Sequence, residues 1–354
     1  MSEFHQVFDN QTILVVGGAG FVGSNLVKLL LKETPELNIH VIDNLLSAEK
    51  LNLPKDERVH FTEGSISDDR VLSQLEDRYD YIFHLATYHG NQSSMHDPLA
   101  DHENNTLTTL KLFERVKNFS KLKKLVYSGA GCAVAKKTYN TAESTVEADV
   151  VSLDMDSPYS ISKIMGEFYA KYYHKEHSLK VVRARFQNVY GPGEVLGAGQ
   201  WRGTPATVWR NVTPTFIYKA LKGESLPLEN GGETSRDFIF VEDIVRGLLY
   251  CAMNGEAGDV YNLATGQEVK IRTLAEIINR MTENSRQPSI KPRRTWDNSG
   301  CRFGCPEKAK TKLGFVTKVG VEEGLRQTVI WTKENLPFIE RMIEKHSEHL
   351  SVLK

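Results

Sequence analysis

A chain of 354 residues exceeds what one hydrophobic core usually supports, so we expect a large domain with a smaller lobe, or two domains that share an interface. Its 44 Lys and Arg residues nearly equal its 45 Asp and Glu residues, which argues against nucleic acid or a membrane surface as a partner. No apolar run approaches the roughly 20 residues that span a bilayer, and the polar, acidic N-terminal segment MSEFHQVFDN is unlike a signal peptide, so we expect a cytoplasmic protein.

Strands and helices alternate through the first 190 residues. The segment TILVVGGAGFVGSNLVKLLLKE begins as an apolar strand, turns through glycines and continues with apolar residues at helical spacing. Five more predicted strands have the sequences NIHVIDN, VHFTEGS, DYIFHLAT, LKKLVYSG and LKVVRARFQNVYG. Predicted helices cover Asp69 to Asp77, Asn105 to Lys117 and Ser160 to His177. This alternation predicts an α/β fold, with helices on both faces of a doubly wound parallel sheet.

The pattern changes after Tyr190, where GPGEVLGAGQWRGTPATVWRNV predicts a long loop, and loops of this length commonly bind a ligand. The elements predicted beyond it are a helix near Thr215 to Lys222, a strand near Arg236 to Val241, a helix opened by Asp243, a DVYNLAT strand, and helices from Thr273 and Val321. We therefore divide the chain into a domain of residues 1–190, which residues near 236–265 rejoin, a mainly substrate-binding lobe of residues 191–335, and a C-terminal helix or tail of residues 336–354.

The glycine turn GGAGFVG predicts a dinucleotide site. Gly17, Gly20 and Gly23 recur every three residues where a strand gives way to a helix, so backbone amides can approach a pyrophosphate at the positive helix terminus. Asp43 follows at the end of the second strand, where a carboxylate accepts both ribose hydroxyls of an adenosine and repels a 2′-phosphate. The pattern favours a Rossmann-type domain that binds NAD rather than NADP. The alternative is that the glycines serve only packing and that Asp43 is a solvated turn residue.

Tyr159 and Lys163 lie four residues apart in SPYSISK, so both side chains share one helix face. A nearby ammonium group favours phenolate over phenol, and we therefore expect Lys163 to lower the pKa of Tyr159. The phenolate could then remove a hydroxyl proton while a hydride leaves the same carbon for a nicotinamide. Taken alone, this spacing also fits an ordinary pair on the surface of a helix.

Together these segments resemble the extended short-chain dehydrogenase/reductase family, in particular its NAD-dependent sugar-nucleotide epimerases and dehydratases. The resemblance covers about residues 11 to 320 and rests on GGAGFVG, VIDN, IFHLAT, SPYSISK, RARFQNVYGP and SRDFIFVEDI. It implies a Rossmann-type sheet with a smaller C-terminal α/β lobe that binds a nucleotide-diphosphate sugar. It also implies a homodimer, in which the helices Asn105 to Lys117 and Ser160 to His177 pair across a twofold axis.

The resemblance also implies roles for individual residues. His84 to Thr87 would line the nicotinamide side, and Asn105 would support the helix that carries the tyrosine. The predicted cofactor-binding residues are Gly17, Gly20, Phe21, Val22, Asp43, Asn44, Ser65, Ile66, Leu85, Ala86, Thr87, Asn105, Tyr159 and Lys163. The predicted substrate-binding residues are Asn188, Asn211, Arg236 and Arg294, with Arg236 and Arg294 as clamps on the diphosphate. Outside the family motifs, the loop from Gly193 to Asn211, which carries Trp201, Arg202, Trp209 and Arg210, could form one wall and bind the base or the sugar, so Trp201 and Arg202 are also predicted substrate-binding residues.

The sequence departs from the family pattern at Ala130, where relatives usually carry a Ser or Thr that bridges the substrate oxygen and the tyrosine. Ser128 is a candidate catalytic hydroxyl, although its position within the strand is deep. Thr87, a water molecule or Cys132 would otherwise have to substitute for the missing hydroxyl.

Cys132 aligns where dehydratases carry a catalytic Glu and where some epimerases carry a catalytic cysteine. Gly131 likewise replaces the dehydratase Asp, and the loss of both carboxylates argues against 4,6-dehydration. Cys132 could exchange a proton beside a ketone, yet the acid expected as its partner is Asn211 here. The alternative is a buried structural cysteine.

Three functions remain open at this point. The leading hypothesis is oxidation at C4 of a nucleotide sugar by a 4-epimerase. The second is a C4 dehydrogenase, or a 3/5-epimerase that uses Cys132. The third is an NAD-binding sensor or scaffold with weak activity, which the Ala130 substitution suggests.

The other three cysteines carry little information about function. Cys251, Cys301 and Cys305 lack paired spacing with one another or with Cys132, so we expect reduced thiols rather than a disulfide framework. Cys301 and Cys305 could join a metal site only with a distant His, and we predict no metal.

Overall fold

The computed structural model describes residues 3–135, 142–294, 297 and 300–352. Its strands are β1 (Gln11–Val16), β2 (Leu37–Asp43), β3 (Val59–Glu63), β4 (Tyr81–His84), β5 (Lys124–Ala130), β6 (Ser144–Thr145), β7 (Val181–Phe186), β8 (Asn188–Tyr190), β9 (Pro227–Glu229), β10 (Ser235–Arg236), β11 (Phe238–Phe240), β12 (Val260–Leu263), β13 (Val269–Lys270), β14 (Ser289–Lys291) and β15 (Phe303–Gly304).

Its α-helices are α1 (Glu3–Phe8), α2 (Phe21–Glu33), α3 (Asp69–Leu72), α4 (Asn91–His96), α5 (Pro98–Asp101), α6 (Thr108–Val116), α7 (Gly131–Val134), α8 (Pro158–His177), α9 (Val212–Leu221), α10 (Val241–Asn254), α11 (Ile271–Thr282), α12 (Val321–Glu334), α13 (Leu336–Glu344) and α14 (Ser347–Ser351). A π-helical turn, His102–Leu107, connects α5 to α6.

The central sheet is parallel and has seven strands in the order β3, β2, β1, β4, β5, β7 and β12. Along β1, Ile13 and Val15 face one apolar layer, while Leu14 and Val16 face the other. Helices α2 and α10 contribute to the first layer, and α6 and α8 contribute to the second. Because both faces are covered, the central strands are apolar throughout, and the predicted doubly wound Rossmann-type sheet is confirmed.

The predicted sixth strand divides at Gln187, which lies between β7 and β8. Strand β7 joins the central sheet, whereas β8 pairs with β11 at the base of the smaller lobe. The seventh place in the sheet is taken by β12, which comes from the DVYNLAT segment and pairs with β7. Chain order alone does not distinguish these pairings, because each depends on contacts between distant segments.

Several predicted bounds change. The helix predicted from Asp69 to Asp77 forms only α3, and the helix predicted from Asn105 begins as the π-helical turn before α6. The strand predicted from Arg236 to Val241 is two short strands, β10 and β11, in different sheets. Helix α10 begins at Val241, two residues before Asp243, so Asp243 lies in the first turn, where a carboxylate favourably faces the positive end of the helix.

The smaller lobe has its own apolar core, formed by α9, α11 and α12 with β8 and β11. A further apolar cluster joins the long loop after Tyr190 to α12 and α13 through Val195, Leu196, Trp331 and Ile339. Among the described residues, no helix is long and apolar enough to cross a membrane. The same residues contain no group of three or more His, Cys, Asp or Glu side chains that could hold a metal ion.

Candidate active site

The turn between β1 and α2 leaves no room for side chains at two of its glycines. Gly17 has a positive φ of 83°, and a Cβ atom there would lie 2.4 Å from the backbone nitrogen of Ala86. A Cβ atom at Gly23 would lie 2.3 Å from the carbonyl oxygen of Gly17. The turn therefore packs backbone against backbone, and the unpaired amides at the start of α2 are suited to a pyrophosphate.

A cavity of about 800 Å³ extends from this turn across the carboxyl ends of the central strands and into the smaller lobe. It lies where the strand order reverses beside β1, which is the usual ligand site of such sheets. The predicted site residues that line it are Gly17, Gly20, Phe21, Val22, Asp43, Asn44, Ser65, Ile66, Leu85, Ala86, Thr87, Ser128, Cys132, Tyr159, Lys163, Asn188, Asn211, Arg236 and Arg294. Asn105, Trp201 and Arg202 are not among the lining residues.

Asp43 lies at the end of β2 with its carboxylate turned toward the glycine turn. One oxygen accepts a hydrogen bond from the Ala19 amide at 3.0 Å, and the other accepts from the Leu45 amide at 2.9 Å. Burial raises the pKa of this carboxyl group, while the backbone amides oppose the shift. The carboxylate is thus fixed in position at the cavity wall, where it can accept further hydrogen bonds from ribose hydroxyls.

Tyr159 and Lys163 come from the first two turns of α8. Ser157 caps the helix by accepting a hydrogen bond from the Ser160 amide at 3.3 Å, and Pro158 occupies the first helical position. This cap fixes where the helix begins and hence which turn carries Tyr159. Both side chains reach the cavity, as their shared helix face predicts.

The electrostatics of the pair differ from the expectation. Burial raises the pKa of Tyr159, and the nearby Cys132 and Asp101 raise it further. The Lys163 ammonium group instead donates to the carbonyl oxygen of Ser128 at 3.1 Å, and burial lowers its pKa to about 8. The expected lowering of the Tyr159 pKa by Lys163 is therefore not seen, because desolvation dominates at both groups.

Asn105 occupies the π-helical turn behind the cavity and connects α8 to the segment after β4. Its side-chain oxygen accepts from the Tyr88 amide at 2.7 Å and from the Thr87 hydroxyl at 3.0 Å. Its side-chain nitrogen donates to Asp101 at 2.8 Å and to Ser162 at 3.2 Å. Asn105 therefore holds the two walls together without touching the cavity.

The end of β5 and the start of α7 form the cavity floor below Tyr159. Ala130 and Cys132 belong to one apolar cluster with Tyr159. The Ser128 hydroxyl donates to the carbonyl oxygen of His84 at 3.0 Å and so is directed into the sheet. A Cβ atom at Gly131 would lie 2.3 Å from the side-chain nitrogen of Gln187, which fills the space beside it.

Three arginines line the far end of the cavity in the smaller lobe: Arg236, Arg294 and Arg302. Arg236 is buried and donates to the backbone oxygens of Ser235 and Gly300 at 2.6 and 2.7 Å. Burial, followed by the charge of Arg302, lowers the pKa of Arg236 to about 9. Arg302 is half-buried, and Arg294 is exposed and ion-paired with Glu229. The three guanidinium groups at this end of the cavity are suited to an anionic ligand such as a diphosphate.

The long loop closes over the cofactor side of the cavity. Arg210 donates to the backbone oxygen of Ser47 at 3.1 Å, and the Gln200 amide donates to that of Leu46 at 3.0 Å. These bonds join the loop to the segment that follows β2. Trp201 stacks on His349 of α14 at 4.7 Å, whereas Arg202 donates to the backbone oxygen of His89 at 2.7 Å.

Comparison with known proteins gives the family. Residues 13–264 match the model of the NAD-dependent epimerase/dehydratase family. The chain belongs to this family. The resemblance inferred from its motifs is thereby confirmed.

Members of the family with solved structures superpose closely. WbmF of Bordetella bronchiseptica, solved with NAD+ and UDP, has 61% identity over 98% of this chain and 99% of that chain, with a TM-score of 0.88. UDP-glucose 4-epimerase of Thermotoga maritima, solved with UDP-glucose, has 32% identity over 92% and 99%, with a TM-score of 0.80. Among relatives found by sequence alone, a dTDP-D-glucose 4,6-dehydratase of Dictyostelium discoideum is 30% identical over 282 residues, which cover 76% of this chain and 62% of that protein.

NAD is therefore the cofactor of this epimerase/dehydratase family member, as predicted, and the protein is an enzyme. The residues fit the group: the tight glycine turn leads into the start of α2, whose backbone amides are suited to a pyrophosphate, and Asp43 lies at the cavity wall where the adenosine ribose is expected. The Asp43 carboxylate disfavours a 2′-phosphate at the same place.

Glu194 also lines the cavity, although no sequence motif predicted a role for it. One carboxylate oxygen accepts a hydrogen bond from Asn211, and the other has no partner among the described residues. Burial raises its pKa to about 7, while Asn211 and Arg210 oppose the shift. The only signal of Glu194 in the sequence is an acidic residue within a Gly-rich loop. His89 and Arg302 also line the cavity, and no sequence motif predicted them.

Proposed function

We propose that the protein is a nucleotide-sugar 4-epimerase. The observation that carries this proposal is the single cavity wall formed by Tyr159, Lys163 and Cys132, which lies between the dinucleotide turn and the three arginines of the smaller lobe. A sugar diphosphate held by these arginines would extend its hexose ring toward the tyrosine. The carbon that reacts would then lie between the tyrosine and the cofactor.

The side chains support reversible oxidation at C4. NAD supplies an acceptor for the hydride that leaves C4. Tyr159 takes the proton of the C4 hydroxyl, so the alcohol becomes a ketone by the loss of one hydride and one proton. A positive charge on Lys163, one helical turn away, would oppose the desolvation that raises the pKa of Tyr159. After the ketone presents its other face, the hydride and the proton return, and the C4 configuration is inverted.

The cavity floor supports epimerisation over dehydration. A 4,6-dehydration needs an acid and a base beside C5 and C6, and the two positions that would carry them are Gly131 and Cys132. Gln187 occupies the space that a side chain at position 131 would need. A return of hydride to C4 requires neither carboxylate.

The experiment is a panel of UDP, GDP, CDP and dTDP sugars incubated with the holoenzyme in deuterated water and analysed by NMR. Inversion at C4 without deuterium incorporation is the expected result. Accumulation of a ketone together with NADH absorbance at 340 nm would instead identify a C4 dehydrogenase. Bound NAD with no change in any sugar would leave the sensor or scaffold as the function.

A 3/5-epimerase is the second candidate, and the position of Cys132 favours it. The thiol lines the cavity in the same cluster as Tyr159, close to where a 4-ketone would lie. A thiolate there could exchange the proton on the carbon beside the ketone. Deuterium at C3 or C5, lost in Cys132→Ala, would support this activity and replace the first proposal.

We also propose that the enzyme is a homodimer whose subunits pair through α8. Ile161, Phe168 and Tyr172 lie on one face of this helix, and each is at least half exposed. We expect Phe168→Glu to raise the dimer dissociation constant by at least about 100-fold, because the interface would bury an uncompensated charge. Sedimentation velocity measures this, and Ile290→Glu, at another exposed apolar residue, is the control; equal masses for both variants and the wild type would contradict the proposal.

A further inference from the structure

Glu194 places an acidic side chain in the wall of a cavity that is otherwise suited to anions. It is 6% exposed and lines the cavity. One carboxyl oxygen, Oε1, accepts a hydrogen bond from the Asn211 side chain, and Oε2 has no hydrogen-bond partner among the described residues. Arg210 acts on it through its charge, but the Arg210 guanidinium group donates to backbone oxygens of the loops instead. Burying a carboxylate in this way is costly, so the neutral acid is favoured.

Two helices begin on either side of Glu194. A Cβ atom on the preceding residue, Gly193, would lie 3.0 Å from the side-chain nitrogen of Asn25 and 3.9 Å from the Phe21 ring, so the loop lies against the first turn of α2. Asn211, on the other side, is the N-cap residue of α9. The start of α2 is expected to hold the cofactor pyrophosphate, and Asn211 is a predicted contact of the substrate diphosphate. Glu194 therefore lies between the two expected diphosphate positions.

Asn211 does not cap its own helix. An asparagine at the N-cap usually accepts a hydrogen bond from an amide in the first turn. Here the side chain forms no such bond and donates to Glu194 instead. The first amides of α9 are thus left to donate to an anion, and Val212, the first residue of the helix, lines the cavity. An ionised carboxylate beside them would repel a diphosphate, whereas a neutral acid would not.

The bond from Asn211 also determines where the proton of the neutral acid lies. Because Oε1 of Glu194 accepts from Asn211, the proton belongs on Oε2, the oxygen that has no partner. A hydroxyl group at Oε2 has one hydrogen to donate. A phosphate oxygen is a strong acceptor for it.

We propose that Glu194 couples the binding of the nucleotide sugar to the uptake of a proton, because its neutral carboxyl group donates a hydrogen bond from Oε2 to the substrate diphosphate. The class of ligand rests on the proposed function. When the free enzyme holds Glu194 ionised, binding takes the proton from solvent, and the bound carboxyl group keeps it. Burial raises the pKa of Glu194 to about 7, so binding should be tightest below this pH and weaken as the pH rises above it.

The charged groups around the loop titrate outside this range or are paired with each other. Burial, followed by the charge of Arg202, lowers the pKa of Arg210 to about 9. Behind the loop, Glu49 forms an ion pair with Lys345, and burial lowers the pKa of His346, which bonds to the loop backbone. Uncharged side chains face the loop from the starts of α2 and α9: Phe21, Asn25 and Asn211.

The test titrates the holoenzyme with the glucose esters of UDP, GDP, CDP and dTDP and continues with the ester that binds most tightly. Calorimetry in buffers with different ionisation enthalpies measures the protons taken up on binding. The wild type should take up close to one proton per site at about pH 8 and few at about pH 6, and its Kd should rise about tenfold between the two. The diphosphate of these esters does not itself titrate in this range.

Two variants assign the proton. Glu194→Gln keeps the size of the side chain and a hydrogen-bond donor but has no proton to gain, so it should bind without uptake and with a Kd independent of pH. Glu49→Gln is the control, because Glu49 bonds to the amide of Gly199 in the same loop but is not among the lining residues. It should keep the wild-type uptake. Binding to the wild type without uptake, or equal uptake in Glu194→Gln, would overturn the proposal.

The assay of C4 inversion separates this inference from the proposed function. Proton uptake that depends on Glu194, with no sugar inverted, would support the inference and count against the 4-epimerase alone. Inversion at C4 with no proton taken up on binding would overturn the inference alone. Binding of none of the four esters would contradict both.

Discussion

Tyr159→Phe is expected to lower the turnover of nucleotide sugars by about 100- to 10,000-fold, the range of general acid–base catalysis. The substitution removes the oxygen that takes the C4 hydroxyl proton and leaves the ring within its cluster of Ala130, Cys132 and Ile164. Because the glycine turn and Asp43 are untouched, the variant should still purify with NAD. The loss should therefore appear in kcat rather than in cofactor content.

The measurement is a steady-state assay of C4 inversion, with NAD content determined after heat release. Tyr169→Phe is the matched control, since Tyr169 lies on the same helix but is packed against the sheet core. Activity of Tyr159→Phe within tenfold of the wild type would show that another group takes the proton. Loss of NAD from this variant would show instead that the phenol mainly holds the cofactor.

Gly17→Ala is expected to abolish NAD binding and to lower the free energy of unfolding by about 2 to 5 kcal/mol. The added methyl group would lie 2.4 Å from the Ala86 nitrogen, and neither β1 nor the segment after β4 can move away without breaking the sheet. The positive φ adds the strain of a conformation that residues with a Cβ atom avoid. A displaced turn would also withdraw its amides from the pyrophosphate.

Gly223→Ala separates the strain of a positive φ from the clash of the added methyl group with a neighbouring backbone. Gly223 has a φ of 67°, similar in sign to Gly17, but a Cβ atom there has no neighbour within 4 Å. This control should lose only about 1 kcal/mol and keep its NAD. Urea unfolding and NAD release would be compared for both variants. Equal destabilisation would mean that strain, rather than the close approach of the two strands, makes Gly17 necessary.

Local patterns were sufficient for much of the fold and part of the site. The apolar run of β1, the glycine turn and the helical spacing of α2 depend on neighbours within about one helical turn, so their interpretation needed no distant contact. Tyr159 and Lys163 follow the same rule, because a spacing of four residues places two side chains on one helix face. The position of Asp43 at the end of the second strand predicted its role, and the family motifs extended the predictions to Asn188, Arg236 and Arg294; all four residues line the cavity.

Two of the predicted substrate-binding residues lie outside the cavity lining, because distant segments occupy the same space. Trp201 and Arg202 were predicted to bind substrate as part of the long loop that could form one wall of the pocket. Helix α14 stacks on Trp201 instead, and the backbone of His89 takes up Arg202. The sequence of the loop does not indicate that the last helices of the chain pack over it.

The sequence by itself determined the alternating architecture, the dinucleotide turn and the tyrosine and lysine pair, since each depends on the spacing of residues close together in the chain. Only the tertiary structure decided the charges and partners of those groups. Lys163 donates to the Ser128 carbonyl oxygen, Thr87 donates to Asn105, and Glu194 lies buried in the cavity wall. The physical reason is that desolvation and hydrogen bonding are set by whatever surrounds a group, and those surroundings come from strands and loops far away in the chain.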